Sequence, residues 1–227
     1  MKRNIPVLLL ALCLLLLSGC GAERHTVSSE PPDQTLDEQV DSIVASMSDT
    51  EKVGQMVMIG IRGETADEDS LYMLHQYHIG GLILFDRNLA SAEQTEKLIA
   101  DLQQNAEQKV PLFIGIDEEG GRVVRGASFI PPPPAQQELG MSGDLTKSEG
   151  SASRTAETLK KLGFNVNFAP VADVGREPRA FSDDPSIVAK CVLAAAQGYE
   201  AHRMMYALKH FPGIGRGTVD SHEEGSA

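Results

Sequence analysis

The residues most suited to chemistry lie in the segment 209–222, near the end of the chain. Lys209 and His210 follow an apolar segment, and a glycine-rich loop leads from them to Asp220 and His222. A lysine donates hydrogen bonds, a histidine can exchange a proton near neutral pH, and an aspartate can fix the tautomer of a histidine. These residues predict an active site that binds a polar substrate and moves a proton.

Further polar residues follow two other apolar segments. Asp117 ends one of them and begins a run of acidic, glycine and arginine residues that reaches Arg125, and Asp173 follows another. In an α/β barrel, the catalytic groups gather at the carboxyl ends of the strands. We therefore expect these residues to meet Lys209 and His210 at one face of such a barrel.

Purely structural roles remain open for the acidic residues of this set. Asp117 is also suited to capping the turn that follows it, Glu118 and Glu119 to a solvated turn that pairs with the next arginines, and Asp173 to holding a loop. Lys209 is harder to explain in this way, because burial of an ammonium group without a partner is costly.

A metal site is a further interpretation of the histidines. His210, Asp220 and His222 belong to residue types that bind zinc. Their spacing matches no compact metal motif. We therefore predict a site that uses no metal and no other cofactor.

The elements that must position these residues alternate along the chain. The predicted strands are 57–61, 80–85, 111–117, 166–171 and 205–209. The predicted helices are 36–47, a short one that begins after a capping box at Ser48, 68–77, 91–108, 148–162 and 184–204, and a proline-rich loop occupies 127–143.

Short apolar strands between helices indicate a parallel sheet that is covered on both faces. The chain has no Gly-x-Gly-x-x-Gly sequence, which favours a barrel over a dinucleotide-binding fold. The predicted fold class is therefore α/β, a (β/α)8 TIM-type barrel. Residues 36–227 supply only about the first five β/α units, since a complete barrel has eight strands.

The first nineteen residues are typical of an export signal. Lys2 and Arg3 precede an uninterrupted apolar run, 7–17, that is too short to span a bilayer comfortably. The residues that end in Cys20 resemble the bacterial lipoprotein signal. This resemblance implies lipidation of Cys20 and an anchor on the extracytoplasmic face of the cell membrane. A plain secretory signal, with Cys20 incidental, is the alternative.

Composition narrows the range of partners. The chain has 20 Lys plus Arg against 32 Asp plus Glu, which argues against nucleic acid or anionic lipid as a partner. Residues 20–35 are rich in Ser, Pro, Glu and Gln and predict a flexible tether. Cys13 lies in the signal and Cys20 at the anchor, so Cys191 is left without a disulfide partner. No feature indicates a protein partner.

Four motifs together resemble glycoside hydrolase family 3. They lie at 115–125, 167–174, 178–185 and 209–222, in the order and spacing of that family. The Asp-Ser-His triplet, eleven residues after Lys209, is similar to that of the β-N-acetylglucosaminidase branch. The resemblance extends from about residue 48 to residue 227.

The resemblance implies roles for individual residues. His222 resembles the general acid/base of that branch, with Asp220 as its partner, since glycoside cleavage needs a group that protonates the leaving oxygen and then deprotonates water. We also expect Phe211 and Pro212 to be joined by a cis bond. The residues similar to the sugar-binding set are Asp117, Arg125, Arg179, Lys209 and His210.

The activity implied is retaining hydrolysis of terminal non-reducing β-linked N-acetylglucosamine or N-acetylhexosamine residues. The oligosaccharide substrates would be cell-wall fragments or chitin-like glycans. Transfer of the glycosyl-enzyme intermediate to phosphate rather than water is an open alternative.

Two departures from the family pattern matter for this expectation. Ile214-Gly215-Arg216 stands where the family usually has His-Gly-Asp, and no aspartate of the chain matches the family's nucleophile, which lies further along. We therefore expect this chain alone to be a truncated barrel without turnover. The alternative function is that of a sugar-binding surface lipoprotein, or of a fragment with no function.

Overall fold

The structure, a computed structural model, describes residues 34–213. The predictions for the signal, for most of the tether, and for Cys20, Asp220 and His222 lie outside these residues. The helices are α1 (Leu36–Ser46), α2 (Asp49–Gln55), α3 (Glu68–Tyr77), α4 (Ala92–Asn105), α5 (Gln136–Met141), α6 (Leu145–Lys161) and α7 (Pro185–Glu200). The strands are β1 (Met58–Gly60), β2 (Gly81–Leu84), β3 (Phe113–Ile116), β4 (Val166–Asn167) and β5 (Met205–Tyr206).

The described residues divide between two units, with the boundary between Ser42 and Ile43. The described residues of the first unit form the beginning of α1, where the backbone N–H of Glu38 donates a hydrogen bond to Thr35 Oγ1 at 3.3 Å. The second unit holds the remaining elements. No helix between residues 34 and 213 has the length and the hydropathy of a membrane span.

The five strands form one parallel sheet in the order β1-β2-β3-β4-β5. Each strand pairs with the next one along the chain, and helices connect them, as in the successive units of a (β/α)8 barrel. The predicted fold class, an α/β TIM-type barrel present in part, is therefore confirmed.

Strands β4 and β5 are shorter than the predicted 166–171 and 205–209. After Asn167 the ladder stops, and Val171 and Lys209 pair again only through an isolated parallel bridge. Pro170 lies between these points and has no backbone N–H to donate to a neighbouring strand. Because β4 and β5 end early, the polar residues of these segments lie in the loops that follow the strands.

The core lies between the sheet and its helices. Leu82 and Leu84 of β2 and Ile114 and Ile116 of β3 are fully buried, and α4 contributes Leu98, Ile99 and Leu102 from one face. Burial of such side chains stabilises the fold by about 1.5–3 kcal/mol each. This packing supplies the rigid base from which the strand ends project.

Local sequence signals set the ends of two helices, as predicted. Ser48 Oγ accepts a hydrogen bond from the backbone of Glu51 at 3.2 Å, and the Glu51 carboxylate accepts one from the backbone of Ser48 at 2.7 Å. At α7, Asp184 Oδ1 accepts a hydrogen bond from the backbone of Ser186 at 2.7 Å, and Pro185 is the first helical residue. Such caps contribute about 1 kcal/mol each.

Helix α5 lies within the segment 127–143, which was predicted to be a loop throughout. Its N-cap, Ala135, provides no side-chain hydrogen bond, and a run of prolines precedes it, so the usual start signal is missing. The buried side chain of Gln136 fixes this helix. Its amide N–H2 donates to the carbonyls of Val171 at 2.9 Å and Arg179 at 2.8 Å, and its oxygen accepts from the backbone of Val171 at 2.9 Å.

Candidate active site

The polar residues that the sequence pointed to converge beyond the carboxyl ends of β3, β4 and β5. Asp117 follows β3 directly, Asp173 lies six residues after β4, and Lys209 and His210 lie three and four residues after β5. Their side chains are connected by the contacts described below. The convergence expected from the barrel is therefore present in the structure.

Lys209 lies between two carboxylates. Its Nζ is 2.7 Å from Asp117 Oδ1 and 2.6 Å from Glu119 Oε1, and its side chain is 17% exposed. Asp117 Oδ2 also lies 3.5 Å from Nη2 of Arg125. These pairs compensate the cost of removing the ammonium group from water. They also hold both Lys209 and Asp117 at the surface of the site.

Glu119 and Arg179 form a bidentate ion pair. Nε and Nη2 of Arg179 each lie 2.9 Å from a different oxygen of the Glu119 carboxylate. Burial raises the pKa of Glu119, but the hydrogen bonds of Arg179 and the charge of Lys209 outweigh it, so the pKa lies below its usual value. Glu119 is therefore an anion that holds two cations in place.

The solvated turn considered for Glu118 and Glu119 is wrong. The two residues are only 1% and 6% exposed. Glu119 is covered by Arg179 and Lys209, which come from distant parts of the chain, and Glu118 accepts a hydrogen bond from the backbone of Arg125. The cost of burying Lys209 indicated that it has a carboxylate partner, but nothing in the sequence singled out Glu119.

His210 is fixed from both sides of its ring. Nη2 of Arg179 lies 3.0 Å from Nε2 of His210, and Oδ2 of Asp173 lies 2.7 Å from Nδ1. Arginine can only donate, so we assign Nε2 as the acceptor and place the proton on Nδ1, from which it is donated to Asp173. Asp173 Oδ1 also accepts from the backbone N–H of His210 at 3.3 Å. Asp173 therefore orients His210 and is more than a loop residue.

Arg125 also contacts an aromatic ring at the end of β2. Its guanidinium carbon lies 5.5 Å from the centre of the Phe85 ring, and that of Arg87 lies 4.7 Å from the same ring. Arginine stacks favourably on aromatic rings at such distances. The sequence placed Phe85 at a strand end but gave no signal for this contact.

The backbone around the site contains three cis peptide bonds within residues 34–213. Phe211–Pro212 is cis, as expected, and so are Ala169–Pro170 and Lys209–His210. The loop residues 214–216, at which the chain departs from the resembled family, lie outside the described residues, as do Asp220 and His222.

The arrangement suits recognition of a neutral, hydroxyl-rich ligand. Carboxylates that accept hydrogen bonds alternate with lysine and arginine side chains that donate them, and strong charge-assisted hydrogen bonds fix the orientation of such a ligand. Across residues 34–213, no three His, Cys, Asp or Glu side chains are grouped so that they could hold a metal ion. The described residues thus offer binding groups, whereas the residues that the family resemblance connects with proton transfer, Asp220 and His222, lie outside them.

Comparison with known proteins agrees with this arrangement. Residues 49–227 match the glycosyl hydrolase family 3 N terminal domain. The chain is 40% identical over 165 residues to Beta-hexosaminidase A of Pseudoalteromonas piscicida, a match that covers 66% of this chain and 27% of that protein. It is 32% identical over 214 residues to Beta-hexosaminidase LpqI of Mycobacterium tuberculosis, covering 90% of this chain and 53% of that protein.

Solved structures give the same result. The glycoside hydrolase family 3 beta-N-acetylglucosaminidase from Paenibacillus sp. str. FPU-7 superposes with a TM-score of 0.74 at 36% identity, over 78% of this chain and 35% of that chain. NagZ from Neisseria gonorrhoeae, solved in complex with N-trifluoroacetyl-D-glucosamine, superposes with a TM-score of 0.66 at 32% identity, over 71% of this chain and 52% of that chain. The chain thus spans between about a quarter and about half of the length of its curated relatives. It belongs to glycosyl hydrolase family 3.

Proposed function

We propose that the protein removes terminal non-reducing β-linked N-acetylglucosamine or N-acetylhexosamine residues from cell-wall or chitin-like glycans. The observation that carries the proposal is the connected set of five polar side chains beyond the strand ends. These are Asp117, Glu119, Arg179, Lys209 and His210. Relatives named beta-hexosaminidase support the same sugar class.

In this proposal the described residues bind the terminal sugar. Asp117 accepts hydrogen bonds from sugar hydroxyls, while Lys209, Arg125 and Arg179 donate to them, and His210 accepts from Arg179 and so holds it in place. All of these groups are held by partners before the sugar arrives, so little order is lost on binding. They fix the sugar ring so that its glycosidic bond faces the residues that follow in the chain.

We assign the proton transfers to His222, with Asp220 as its partner. Retaining glycosidases form a glycosyl-enzyme intermediate, and one residue acts first as acid towards the leaving oxygen and then as base towards water. A histidine serves both steps near neutral pH. We further propose a lipid anchor on Cys20 at the extracytoplasmic face of the membrane.

The test is turnover of 4-nitrophenyl N-acetyl-β-D-glucosaminide by the protein with every residue that its gene encodes. We expect turnover of this substrate and at least about tenfold less of the matching β-glucoside, because a site built for the acetamido group rejects an analogue that lacks it. Nuclear magnetic resonance should show the β-anomer as the first product, as retention requires.

Two variants test the assignment of His222 as the acid/base. We expect His222→Gln to abolish most turnover and to change the pH–rate profile, while binding of N-acetylglucosamine persists. His75→Gln, which changes a histidine on α3, is the matched control and should behave as wild type. Binding of the sugar without any turnover in the wild-type protein would instead support a sugar-binding lipoprotein, and unchanged turnover in His222→Gln would remove the acid/base assignment.

A further inference from the structure

Glu118 lies between two carboxylates of the site but makes different contacts. Asp117 and Glu119 both contact Lys209, whereas Oε2 of Glu118 accepts a hydrogen bond from the backbone N–H of Arg125 at 2.9 Å. The residue is 1% exposed, so it cannot touch a ligand in the site directly. Any role of Glu118 in the site must therefore act through the groups that it contacts.

The backbone of Glu118 is itself fixed to β4. Its N–H donates to Oδ1 of Asn167 at 3.0 Å, and its carbonyl accepts from Nδ2 of the same residue at 3.1 Å. Nδ2 of Asn167 also donates to the hydroxyl of Tyr199 at 3.1 Å, and Asn167 is fully buried. Glu118 therefore connects a rigid strand end to the loop that carries Arg125.

The hydrogen bond between Glu118 and the backbone of Arg125 influences where the Arg125 side chain lies. The guanidinium reaches Asp117 at 3.5 Å and lies over Phe85, and both contacts require the backbone of residues 125 and 126 to stay in place. The backbone of Gly126 also acts to lower the pKa of the Glu118 carboxyl group. Loss of the carboxylate would free this stretch of backbone.

Glu118 also borders a small cavity of about 20 Å³. Glu118 and Ser148 both line it, and within the described part of the chain Oε1 of Glu118 and Oγ of Ser148 are buried side-chain atoms with no hydrogen-bond partner of normal geometry. The thiol of Cys191 is a polar neighbour of Ser148. A cavity of this size accommodates one water molecule, and buried polar atoms without protein partners are what such a water binds.

We propose that Glu118 is a positioning residue, which together with one ordered water shared with Ser148 holds the backbone of Arg125 and so places the Arg125 guanidinium beside Asp117. The proposal rests on the proposed function in one respect, because it assigns Arg125 to sugar binding. Glu118 acts only through Arg125 and touches neither substrate nor reacting atoms.

The protonation of Glu118 agrees with this role. Burial raises its pKa to about 7, although the hydrogen bonds from Arg125 and Gly126 and the charge of Arg125 oppose the increase. A neutral carboxyl group donates its O–H to the water while the other oxygen still accepts from the backbone. Among the described residues that line the cavity, the acidic and phenolic groups other than Glu118 are Glu119 and Tyr199, and burial raises the pKa of the Tyr199 hydroxyl so that it stays neutral.

The experiment compares Glu118→Gln, Glu118→Leu and Arg125→Ala, singly and combined, in the protein with every residue that its gene encodes. We expect Glu118→Leu to raise KM by about tenfold, with a smaller effect on kcat, since it loosens a binding group. Glu118→Gln, which keeps an acceptor and a donor, should rescue KM to within about threefold of wild type. The exposed Glu149→Leu on α6 is the matched control and should leave KM unchanged.

A double-mutant cycle separates positioning from general destabilisation. If Glu118 acts through Arg125, Glu118→Leu should have little further effect on KM in the Arg125→Ala background. An equal effect in both backgrounds, or a Gln variant as impaired as the Leu variant, would overturn the proposal.

Crystal structures of wild type, Ser148→Ala and Glu118→Leu provide a readout independent of turnover. We expect a water between Glu118 and Ser148 in wild type, and an Arg125 guanidinium displaced from Asp117 in Glu118→Leu. A dry cavity, or an undisplaced guanidinium, would overturn the proposal. Absence of turnover in wild type would overturn the proposed function and leave these structural outcomes to decide the role of Glu118.

Discussion

Arg179 and Glu119, sixty residues apart in the chain, form a buried bidentate ion pair with two N–O distances of 2.9 Å. Their side chains are 13% and 2% exposed. The pair joins the segment after β4 to the segment after β3, and through Arg179 it reaches His210. It therefore holds together parts of the site that come from separate strands.

Glu119→Gln should destabilise the protein strongly. The change removes the charge that compensates both Arg179 and Lys209, and removal of one partner of a buried pair costs about 3–5 kcal/mol. Urea denaturation gives the free energy of unfolding. The matched control is Glu157→Gln, which breaks an exposed pair with Lys161 and should cost at most about 1 kcal/mol. Equal losses in the two variants would contradict the structural role of Glu119.

Stability should depend on pH through Glu118. Its pKa is 4.5 in the unfolded chain and about 7 in the folded state, so the folded state binds the proton more tightly. The resulting stabilisation is complete below pH 4.5 and is lost as the pH rises through 7. Relative to Glu118→Gln, wild type should lose about 3 kcal/mol between pH 4.5 and pH 8.

The measurement is the difference in the free energy of unfolding between wild type and Glu118→Gln, taken at several pH values. The difference cancels the titration of groups that the two proteins share. A difference that is constant with pH would show that folding leaves the pKa of Glu118 unchanged, and one that grows in favour of wild type as the pH rises would show that folding lowers it; either result would contradict the prediction.

Asp173→Ala should weaken sugar binding. The variant loses the acceptor of His210 Nδ1, which lies 2.7 Å from Asp173, and with it the tautomer that accepts from Arg179. Loss of one charge-assisted hydrogen bond raises KM by about tenfold or more. Steady-state kinetics measures the effect, and Asp173→Asn should be less impaired because its amide oxygen still accepts from Nδ1. An unchanged KM in the alanine variant would remove Asp173 from the site.

Cys20→Ala should release the protein from the membrane. The sequence around Cys20 resembles a lipoprotein signal, and acyl chains on that residue are the expected anchor. Fractionation of cells that express wild type or the variant, followed by immunoblotting, measures the distribution. Cys191→Ala is the matched control and should stay with the membranes. A variant that also remains in the membrane fraction would contradict lipidation at Cys20.

The sequence predicted well the features that depend on neighbouring residues. The order of the strands, the capping box at Ser48 and the start of α7 at Pro185 follow from local apolar patterns and from side chains a few residues apart. The convergence of Asp117 with Lys209 followed from fold class, since parallel strands of one barrel end at the same face.

The sequence could not predict features that depend on partners far away in the chain. Glu119 looks like a surface residue until Arg179 and Lys209 are brought to it, and the role of Asp173 depends on a histidine 37 residues later. Helix α5 was missed because it is held by hydrogen bonds from Gln136 to the segment after β4, which no local pattern reveals.

The central claim, that the connected polar side chains bind the sugar for its hydrolysis, is tested most directly at Lys209. The measurement is kcat/KM for 4-nitrophenyl N-acetyl-β-D-glucosaminide with the protein carrying every residue that its gene encodes. Lys209→Met is compared with Lys161→Met, which changes an exposed lysine of α6, and circular dichroism checks that both variants are folded. We expect Lys209→Met to lose about 10- to 100-fold in kcat/KM and Lys161→Met to match wild type. A folded Lys209→Met protein with wild-type kcat/KM would contradict the account.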